Sequence, residues 1–247
     1  MLNITMEINR ITTFIRNYCD KADLNSLVIG LSGGIDSALS AALAVNAVGA
    51  TNVFGINIPY RNSHPDSAAD ARIIAQHLGI KIETIDLSSM TDSYFDAYEP
   101  KAEALRRGNW MARIRMNVLY DQAAKHKALV VGTSNLSEIM VGYCTQFGDS
   151  ACAFEPIGHL YKTEVWEMSR QMGLPEKLID KTPTADLWEG QSDEAELGIS
   201  YKDLDEILCA ITDGSTEKYA IETVKKVKKM IKNSAFKRAM PPALERL

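Results

Sequence analysis

The segment Gly30-Leu31-Ser32-Gly33-Gly34-Ile35-Asp36-Ser37 has the residue types that bind phosphate groups. It follows a short apolar run and precedes an Ala- and Leu-rich stretch, so it joins a predicted strand to a predicted helix. Glycines let the backbone turn tightly and approach a ligand closely. The start of a helix adds unpaired N–H groups and the positive end of its dipole, and Ser32 and Ser37 add hydroxyl donors. The segment therefore predicts a polyphosphate site.

Asp36 distinguishes this segment from a Walker A loop, which requires a lysine after its last glycine. A carboxylate beside phosphates is expected if it binds Mg²⁺, which takes one or two carboxylates together with phosphate oxygens. The alternative is a plain glycine turn capped by its own Asp and Ser.

A second carboxylate follows the fourth predicted strand, in Gly132-Thr133-Ser134-Asn135-Leu136-Ser137-Glu138. Because ligands bind at the carboxyl ends of parallel strands, Glu138 is a candidate partner of Asp36 on Mg²⁺. The alternative is that this stretch only begins a helix that Ser134 or Ser137 caps.

Short apolar runs alternate with helical patterns through the first half of the chain. Strands are predicted to start at residues 26, 52, 80 and 128, and helices to cover 4–18, 36–48, 66–78 and 92–126. We expect a break near Gly108 in the last helix, and Ala69, Ile73 and Leu78 on the inner face of the third. Strands that are apolar on both faces predict an α/β fold, a doubly wound parallel sheet with helices on both faces.

After about residue 150 the clear strands stop. Helical patterns cover 161–172, 201–211 and 216–233, and the basic run at 225–229 lies on a predicted amphipathic helix. With no internal repeat and no low-complexity linker, we expect one domain over residues 1–247 with a mostly helical C-terminal portion.

The composition is that of a folded protein, with 46% hydrophobic and 24% charged residues. The 27 Lys and Arg residues against 32 Asp and Glu residues give a net charge of -5, which argues against a nucleic-acid partner. No apolar run approaches the ~20 residues of a membrane span. We therefore expect no membrane association and a cytoplasmic location. The four cysteines form no C-x-x-C pair and are expected to be reduced and mostly buried.

Further segments indicate a family. They are Asn109 to Met116, Gly142 to Asp149, Glu155 to Ile157, Tyr161 to Val165 and Lys181 to Glu194. The glycine-rich loop resembles the signature of the N-type ATP pyrophosphatases, and all the segments together are similar to the ammonia-dependent NAD synthetases. The resemblance runs from about Tyr18 to Arg238. It implies the adenine nucleotide alpha hydrolase-like fold, a Rossmann-like arrangement.

The resemblance also implies site residues. It makes Asp36 and Lys162 catalytic, and Asp36 and Glu138 the ligands of Mg²⁺, the implied cofactor. Lys162 has the charge needed to neutralise the α-phosphate and the departing pyrophosphate. The implied ATP-binding residues are Gly30, Leu31, Ser32, Gly33, Gly34, Ile35, Asp36, Ser37, Thr133, Lys162 and Thr184.

A second implied set binds deamido-NAD, the nicotinic acid adenine dinucleotide. It consists of Tyr18, Arg113, Gln146, Ala153, Phe236 and Lys237. Many family members carry Lys at the position of Gln146, Asp at that of Ala153 and His at that of Phe236. Arg115 lies two residues after Arg113, so one of the two arginines is expected to bind phosphate and the other to lie on the surface.

The implied reaction is the last step of NAD biosynthesis. The carboxylate of deamido-NAD attacks the α-phosphorus of ATP and pyrophosphate leaves; ammonia then displaces AMP to give NAD. The synthetase portion fills the 247 residues, which predicts free ammonia as the nitrogen donor. The family is implied to be homodimeric, and the acidic segment 184–200 is a candidate lid.

Two alternatives remain at this point. One is another adenylating enzyme, such as a different amidotransferase or a tRNA-thiolating pyrophosphatase, although the acidic charge speaks against tRNA. The other is a nucleotide-binding regulator, which would need the glycine-rich loop but neither Glu138 nor the segments around Lys162 and Thr184.

Overall fold

A computed structural model describes residues 3–188 and 190–244. Residues 1–2 and 245–247 of the predicted domain, and Glu189 of the predicted lid, lie outside the described residues. Four parallel strands form one sheet in the order β3-β2-β1-β4. The strands are β1 (Ser26–Gly30), β2 (Val53–Asn57), β3 (Lys81–Thr84) and β4 (Ala128–Val131).

The helices alternate with the strands and then continue without them. They are α1 (Ile4–Ala22), α2 (Ile35–Val48), α3 (Pro65–Leu78), α4 (Ser88–Tyr98), α5 (Ala104–His126), α6 (Leu136–Val141), α7 (Lys162–Gln171), α8 (Glu176–Ile179), α9 (Asp193–Leu197), α10 (Tyr201–Asp213) and α11 (Ile221–Asn233).

Helices cover both faces of the sheet. The helices α1, α2, α3 and α7 pack on one face through a core that includes Ile15, Leu39 and Ile74. The long helix α5 packs on the other face, where Met116 and Leu119 belong to one cluster with strand residues. The predicted doubly wound parallel sheet is confirmed, and β1, one of its two inner strands, carries the glycine-rich loop at its carboxyl end.

The C-terminal helices build a third core. Tyr201 and Leu204 of α10 lie there with Val227 of α11 and Val141 of α6. The predicted amphipathic character of α11 is confirmed, because Val224 and Val227 are buried while the neighbouring lysines are exposed. This core supports α6 and α7, which lie beside the carboxyl ends of the strands.

Two expectations about the helices are wrong. The break in the predicted helix 92–126 lies between Tyr98 and Ala104, beside Pro100, and not at Gly108, since proline cannot continue a helix and glycine can. The buried face of α3 is shifted by about one residue from the predicted one. Asp70 and Ile74 are buried, whereas Ile73, predicted to face inward, is 38% exposed.

The two edges of the sheet differ. β3 is exposed along most of its length, with Lys81 and Glu83 at its surface. β4 is covered, because the segment that ends at Phe154 pairs with it: Gly132 N donates to Phe154 O at 2.8 Å, and Ala153 N donates to Val130 O at 3.0 Å. The expectation of strands that are apolar on both faces is therefore wrong for β3, a four-residue edge strand that is mostly exposed.

Among the described residues no helix is long and apolar enough to cross a membrane. All four cysteines are free thiols, as expected. Cys19 is buried, whereas Cys144, Cys152 and Cys209 are only partly buried, so the expectation of mostly buried cysteines is wrong.

We predict that Glu7→Gln destabilises the protein in a pH-dependent way. The Glu7 carboxylate accepts two hydrogen bonds from Arg10 Nε and lies 2.6 Å from His159 Nε2. Burial alone would raise the pKa of Glu7, but Arg10 and His159 outweigh it and lower that pKa. The stabilisation is therefore present above the carboxyl's ordinary range and is lost as the pH falls through the lowered pKa.

In urea unfolding, Glu7→Gln should lower the free energy of unfolding by about 1–3 kcal/mol near neutral pH. The difference from the unmodified protein should shrink as the pH falls below the carboxyl's ordinary pKa and through the lowered pKa of Glu7. Glu222→Gln is the control, because Glu222 pairs with Lys225 in an exposed i,i+3 pair. A deficit that stays constant with pH would contradict this account.

Candidate active site

The glycine-rich loop leads from β1 into the N-terminus of α2. The N-cap of α2 is Gly34, and no side chain caps the helix, so its first N–H groups are left for a ligand. Ser37 Oγ donates to Gly34 O at 2.9 Å, and Gly34 N donates to Ser32 Oγ at 3.2 Å. These bonds hold the loop in a fixed shape around the helix end, which is an anion-binding arrangement.

Gly33 allows α3 to pack against this loop. Its φ is +82°, and a Cβ atom at this position would lie 2.4 Å from Ser67 O and 3.0 Å from Asp70 Cβ. Any other residue would push the loop away from the first turns of α3. The glycine is therefore required both by its backbone conformation and by the close approach of a neighbouring helix.

Three elements bring their charged side chains together at the carboxyl edge of the sheet. Lys162, the first residue of α7, is 2% exposed, and its Nζ pairs with Asp36 Oδ2 and lies 3.5 Å from Glu138 Oε1. Asn135 Nδ2 donates to Asp36 Oδ1 at 2.9 Å. Asn135 also caps α6 in a capping box with Glu138, so neither Ser134 nor Ser137 is the cap.

Carboxyl groups outnumber ammonium groups around Lys162. Tyr201 Oη donates to Glu138 Oε1 at 3.1 Å and lies 3.3 Å from Asp193 Oδ2. Burial raises the pKa of Glu138 to about 8. Asp36 and Asp193 also raise this pKa, whereas Lys162 lowers it. Burial alone would lower the pKa of Lys162, but the Asp36 and Glu138 carboxylates raise it. One ammonium group faces three carboxyl groups.

The donor set fits Mg²⁺. Asp36 and Glu138 supply hard carboxyl oxygens, and a divalent cation beside them would favour the ionised form of Glu138. Among the described residues no group of three or more His, Cys, Asp or Glu side chains is placed to hold a metal ion alone.

A cavity of about 540 Å³ opens beside these groups. Its walls contain nearly all the predicted ATP residues: Gly30, Leu31, Ser32, Gly34, Ile35, Asp36, Ser37, Thr133, Lys162 and Thr184. Glu138 also lines it. Gly33 does not, since it packs against α3. The sequence thus identified one side of a real cavity.

The residues predicted to bind the dinucleotide do not lie together in the structure. Lys237 lines the cavity, and its Nζ donates to Gly142 O at 2.8 Å and to Cys144 O at 2.7 Å. Arg113, Gln146 and Phe236 lie outside it and contact one another: Arg113 Nε donates to Gln146 O at 3.2 Å, and Gln146 Nε2 donates to Phe236 O at 3.4 Å.

Tyr18 and Ala153 form a separate group. Tyr18 Oη donates to Ala153 O at 2.9 Å, and the Tyr18 ring packs against Phe154 with centroids 5.1 Å apart. Neither residue lines the cavity.

Sequence reasoning missed several residues in the cavity wall. Arg115, rather than Arg113, lines the cavity; its Nε donates to Ile58 O at 3.0 Å, and burial lowers its pKa to about 10. Asn57 Nδ2 donates to Leu31 O at 2.8 Å, while Asn57 Oδ1 has no hydrogen-bond partner within the described part of the chain. Asn135, which supports Asp36 from outside the cavity wall, was also missed, although the Asn-x-x-Glu spacing of a capping box was a usable signal for it.

A parallel sheet with a glycine-rich loop, an uncapped helix start and paired carboxylates around a lysine defines a nucleotide-binding α/β protein of the adenine nucleotide alpha hydrolase-like class. The NAD synthase family model matches residues 7–241. The chain therefore belongs to the NAD synthase family, ligases that make NAD by ATP-dependent amidation.

Similar proteins agree with this family. The NH(3)-dependent NAD(+) synthetase of Fusobacterium nucleatum is 44% identical over an alignment of 247 positions, which covers 97% of this chain and 95% of that protein. The structure of an NH3-dependent NAD synthetase from Campylobacter jejuni, in complex with nitrate ion, matches 99% of this chain and 100% of that one with a TM-score of 0.87 and 33% identity. An NMN synthetase from Francisella tularensis matches 100% of both chains with a TM-score of 0.91 and 29% identity.

We predict that Lys162→Met strongly destabilises the fold, because it leaves the carboxylates of Asp36 and Glu138 without their common cation. Unfolding in urea should show a loss of about 2–4 kcal/mol. Lys125→Met is the control: Lys125 pairs with Glu83 at 3.2 Å, but both side chains are about half exposed, so the loss should stay under about 1 kcal/mol. Equal losses in the two variants would refute the structural role of Lys162.

Proposed function

We propose that this chain converts deamido-NAD, ATP and ammonia into NAD, AMP and pyrophosphate. The observation that carries the proposal is the convergence of an uncapped helix start with Asp36, Glu138 and buried Lys162 in one cavity. A carboxylate is a poor acyl donor because its leaving group would be oxide. Transfer of AMP to the carboxylate supplies a better leaving group, which is why ATP is consumed.

The chain's own residues position and neutralise charge. The N–H groups of the loop and of the first turn of α2 bind phosphate oxygens of ATP. Lys162 stabilises the negative charge that develops at the α-phosphate when the nicotinate carboxylate attacks and pyrophosphate leaves. Ammonia then attacks the carbonyl carbon, and AMP departs with the oxygen that joined it to the acyl group. No side chain has to act as a nucleophile, because both steps need only orientation and charge stabilisation.

We propose that Asp36 and Glu138 hold Mg²⁺ when ATP is bound. When bound, the cation supplies charge neutralisation for the phosphates of ATP. The excess of carboxyl groups around Lys162 supports this proposal.

The proposed function is tested by incubating the protein with ATP, Mg²⁺, ammonium and deamido-NAD labelled with oxygen-18 in its carboxylate. We expect NAD, pyrophosphate and AMP, with one labelled oxygen in the phosphate of AMP. Release of ADP, or absence of NAD, would reject the proposed reaction. Unlabelled AMP would reject the adenylated intermediate.

A second candidate substrate is the nicotinic acid mononucleotide. Gln146, Ala153 and Phe236 differ from many family members at dinucleotide positions, and the Francisella tularensis neighbour is named an NMN synthetase. All three residues lie outside the cavity that the phosphate loop lines. The same assay with the mononucleotide decides between the two: the substrate with the higher kcat/KM is the better fit.

We predict that Asp36→Asn lowers kcat/KM by about a hundredfold or more, because it removes a charge from the proposed Mg²⁺ site. The Mg²⁺ concentration for half-maximal rate should rise as well. Asp203→Asn is the control, since Asp203 lies in the exposed first turn of α10. Near-normal turnover with an unchanged Mg²⁺ requirement would disprove the metal assignment.

We propose that residues 182–192 act as a lid. Within the predicted lid 184–200, residues 193–197 form α9 and bury Asp193 and Leu197, so this part belongs to the packed structure. Residues Thr182 to Trp188 line the cavity, and the Asp186 carboxylate accepts from His64 N at 3.0 Å and 3.1 Å. A cover of this kind excludes water from an adenylated intermediate.

We predict that chymotrypsin cleaves near Leu187 and Trp188 faster in the free protein than in the presence of ATP and deamido-NAD together. Mass spectrometry of the fragments measures the cleavage rate at this segment, and a site near exposed Tyr98 provides the internal control. Equal rates at Trp188 with and without both substrates would count against a lid.

We also propose a homodimer in the cytoplasm. Phe14 is 45% exposed on α1 and lies beside Tyr18 and Phe154, which gives an apolar surface at the implied dinucleotide positions. The free cysteines suit a reducing compartment. Sedimentation equilibrium of the purified protein gives the oligomeric state directly.

A further inference from the structure

Two further lysines, Lys177 and Lys181, lie near the phosphate loop and have no role in the mechanism described so far. The Asp70 carboxylate, on the inner face of α3, is 1% exposed and accepts from Lys177 Nζ and Lys181 Nζ, each at 2.7 Å. Two ammonium groups thus share one buried carboxylate, and the group carries a net positive charge.

The two lysines differ in position. Lys181 lines the cavity, its side chain is 24% exposed, and its Nζ lies 3.4 Å from Gly33 O in the phosphate loop. Lys177, on α8, is 59% exposed and does not line the cavity. The surplus positive charge therefore lies beside Gly33 of the loop, whereas Lys162 pairs with Asp36 in the first turn of α2.

The attachment of α3 to the loop fixes this arrangement. Since the missing side chain of Gly33 lets Ser67 and Asp70 approach, the buried carboxylate lies directly behind the loop. Burial alone would raise the pKa of Asp70, but the two lysines outweigh it and lower that pKa, so the carboxylate is ionised near neutral pH. An ionised Asp70 holds Lys181 against the loop and keeps it from extending into solvent.

We propose that Lys181 binds the terminal phosphates of ATP and the pyrophosphate that leaves, and that Asp70 is its positioning residue. This inference depends on one part of the proposed function, namely that ATP binds at the phosphate loop. Lys162 pairs with Asp36 and is the proposed partner of the α-phosphate, whereas Lys181 contacts the backbone of the loop at Gly33. An ammonium group 3.4 Å from a loop carbonyl is within reach of phosphate oxygens that the same loop binds.

Lys181 is also connected to the proposed lid. It directly precedes residues 182–192, the proposed lid, and the first turn of α3 is joined to that segment again through Asp186 and His64 N. A nucleotide that draws Lys181 toward its phosphates therefore also acts on the segment that covers the cavity.

Calorimetric titration of Lys181→Met and Lys177→Met with ATP, pyrophosphate and AMP tests the proposal. Each variant removes one of the two ion pairs of Asp70, so a merely structural role predicts similar behaviour. We expect Lys181→Met to weaken ATP and pyrophosphate binding by roughly ten- to a hundredfold. It should leave AMP binding within about twofold, since AMP lacks the terminal phosphates. Lys177→Met should change all three by less than about threefold.

Lys181→Arg should recover part of the lost pyrophosphate affinity, because it keeps the charge and the pairing with Asp70. Similar effects of Lys181→Met and Lys177→Met, or an equal loss of AMP and pyrophosphate binding, would overturn the proposal. If the unmodified protein binds neither ATP nor pyrophosphate, the proposed function itself fails, which is a different result.

A measurement on the unmodified protein covers the case in which Lys181→Met does not fold. Lysines are acetylated with a limiting amount of reagent, with and without pyrophosphate, and the modified sites are quantified by mass spectrometry. Pyrophosphate should protect Lys181 and leave the labelling of Lys177 unchanged. Equal protection of both lysines, or of neither, would contradict the assignment.

Discussion

The ion pair between buried Lys162 and the carboxylates of Asp36 and Glu138 is the constraint on which the rest of the structure depends. Burying a charged lysine that is 2% exposed destabilises the fold unless an opposite charge pairs with it. The two carboxylates come from the N-terminal turn of α2 and from α6, and the lysine begins α7. The ion pairs can therefore form only when the sheet has assembled and the C-terminal helices have packed beside it. Charge compensation ties the helical part of the chain to the strands.

The support of these groups is local and specific. Asn135 holds Asp36 with its amide nitrogen and caps α6 with its amide oxygen, so one side chain fixes both a proposed metal ligand and the helix that carries the other. Tyr201 performs a similar task from α10, through its hydroxyl group on Glu138. The site is thus positioned by residues from helices rather than from loops alone, which limits how far its charged atoms can move.

The sequence predicted the sheet, most helix bounds and the glycine-rich loop that lines the cavity, because these follow from short-range signals. Strand and helix periods are visible within one element, and the glycine-rich loop is continuous. Contacts across elements left no such signal. Arg115 and Arg113 cannot be distinguished by type, and only the rotation of α5 turns Arg115 toward the cavity. Asp70 falls on an expected polar face of α3, and its burial depends on lysines more than a hundred residues away.

The structure of the two sheet edges affects whether strands of other molecules can pair with this sheet in a concentrated solution. An open edge strand offers unpaired N–H and C=O groups on which a strand of another molecule can pair. β4 is closed to such pairing by the segment ending at Phe154, and β3 exposes the charged side chains of Lys81 and Glu83, the latter paired with Lys125. Edge-to-edge addition is therefore prevented at β4 by a paired segment and disfavoured at β3 by charged side chains.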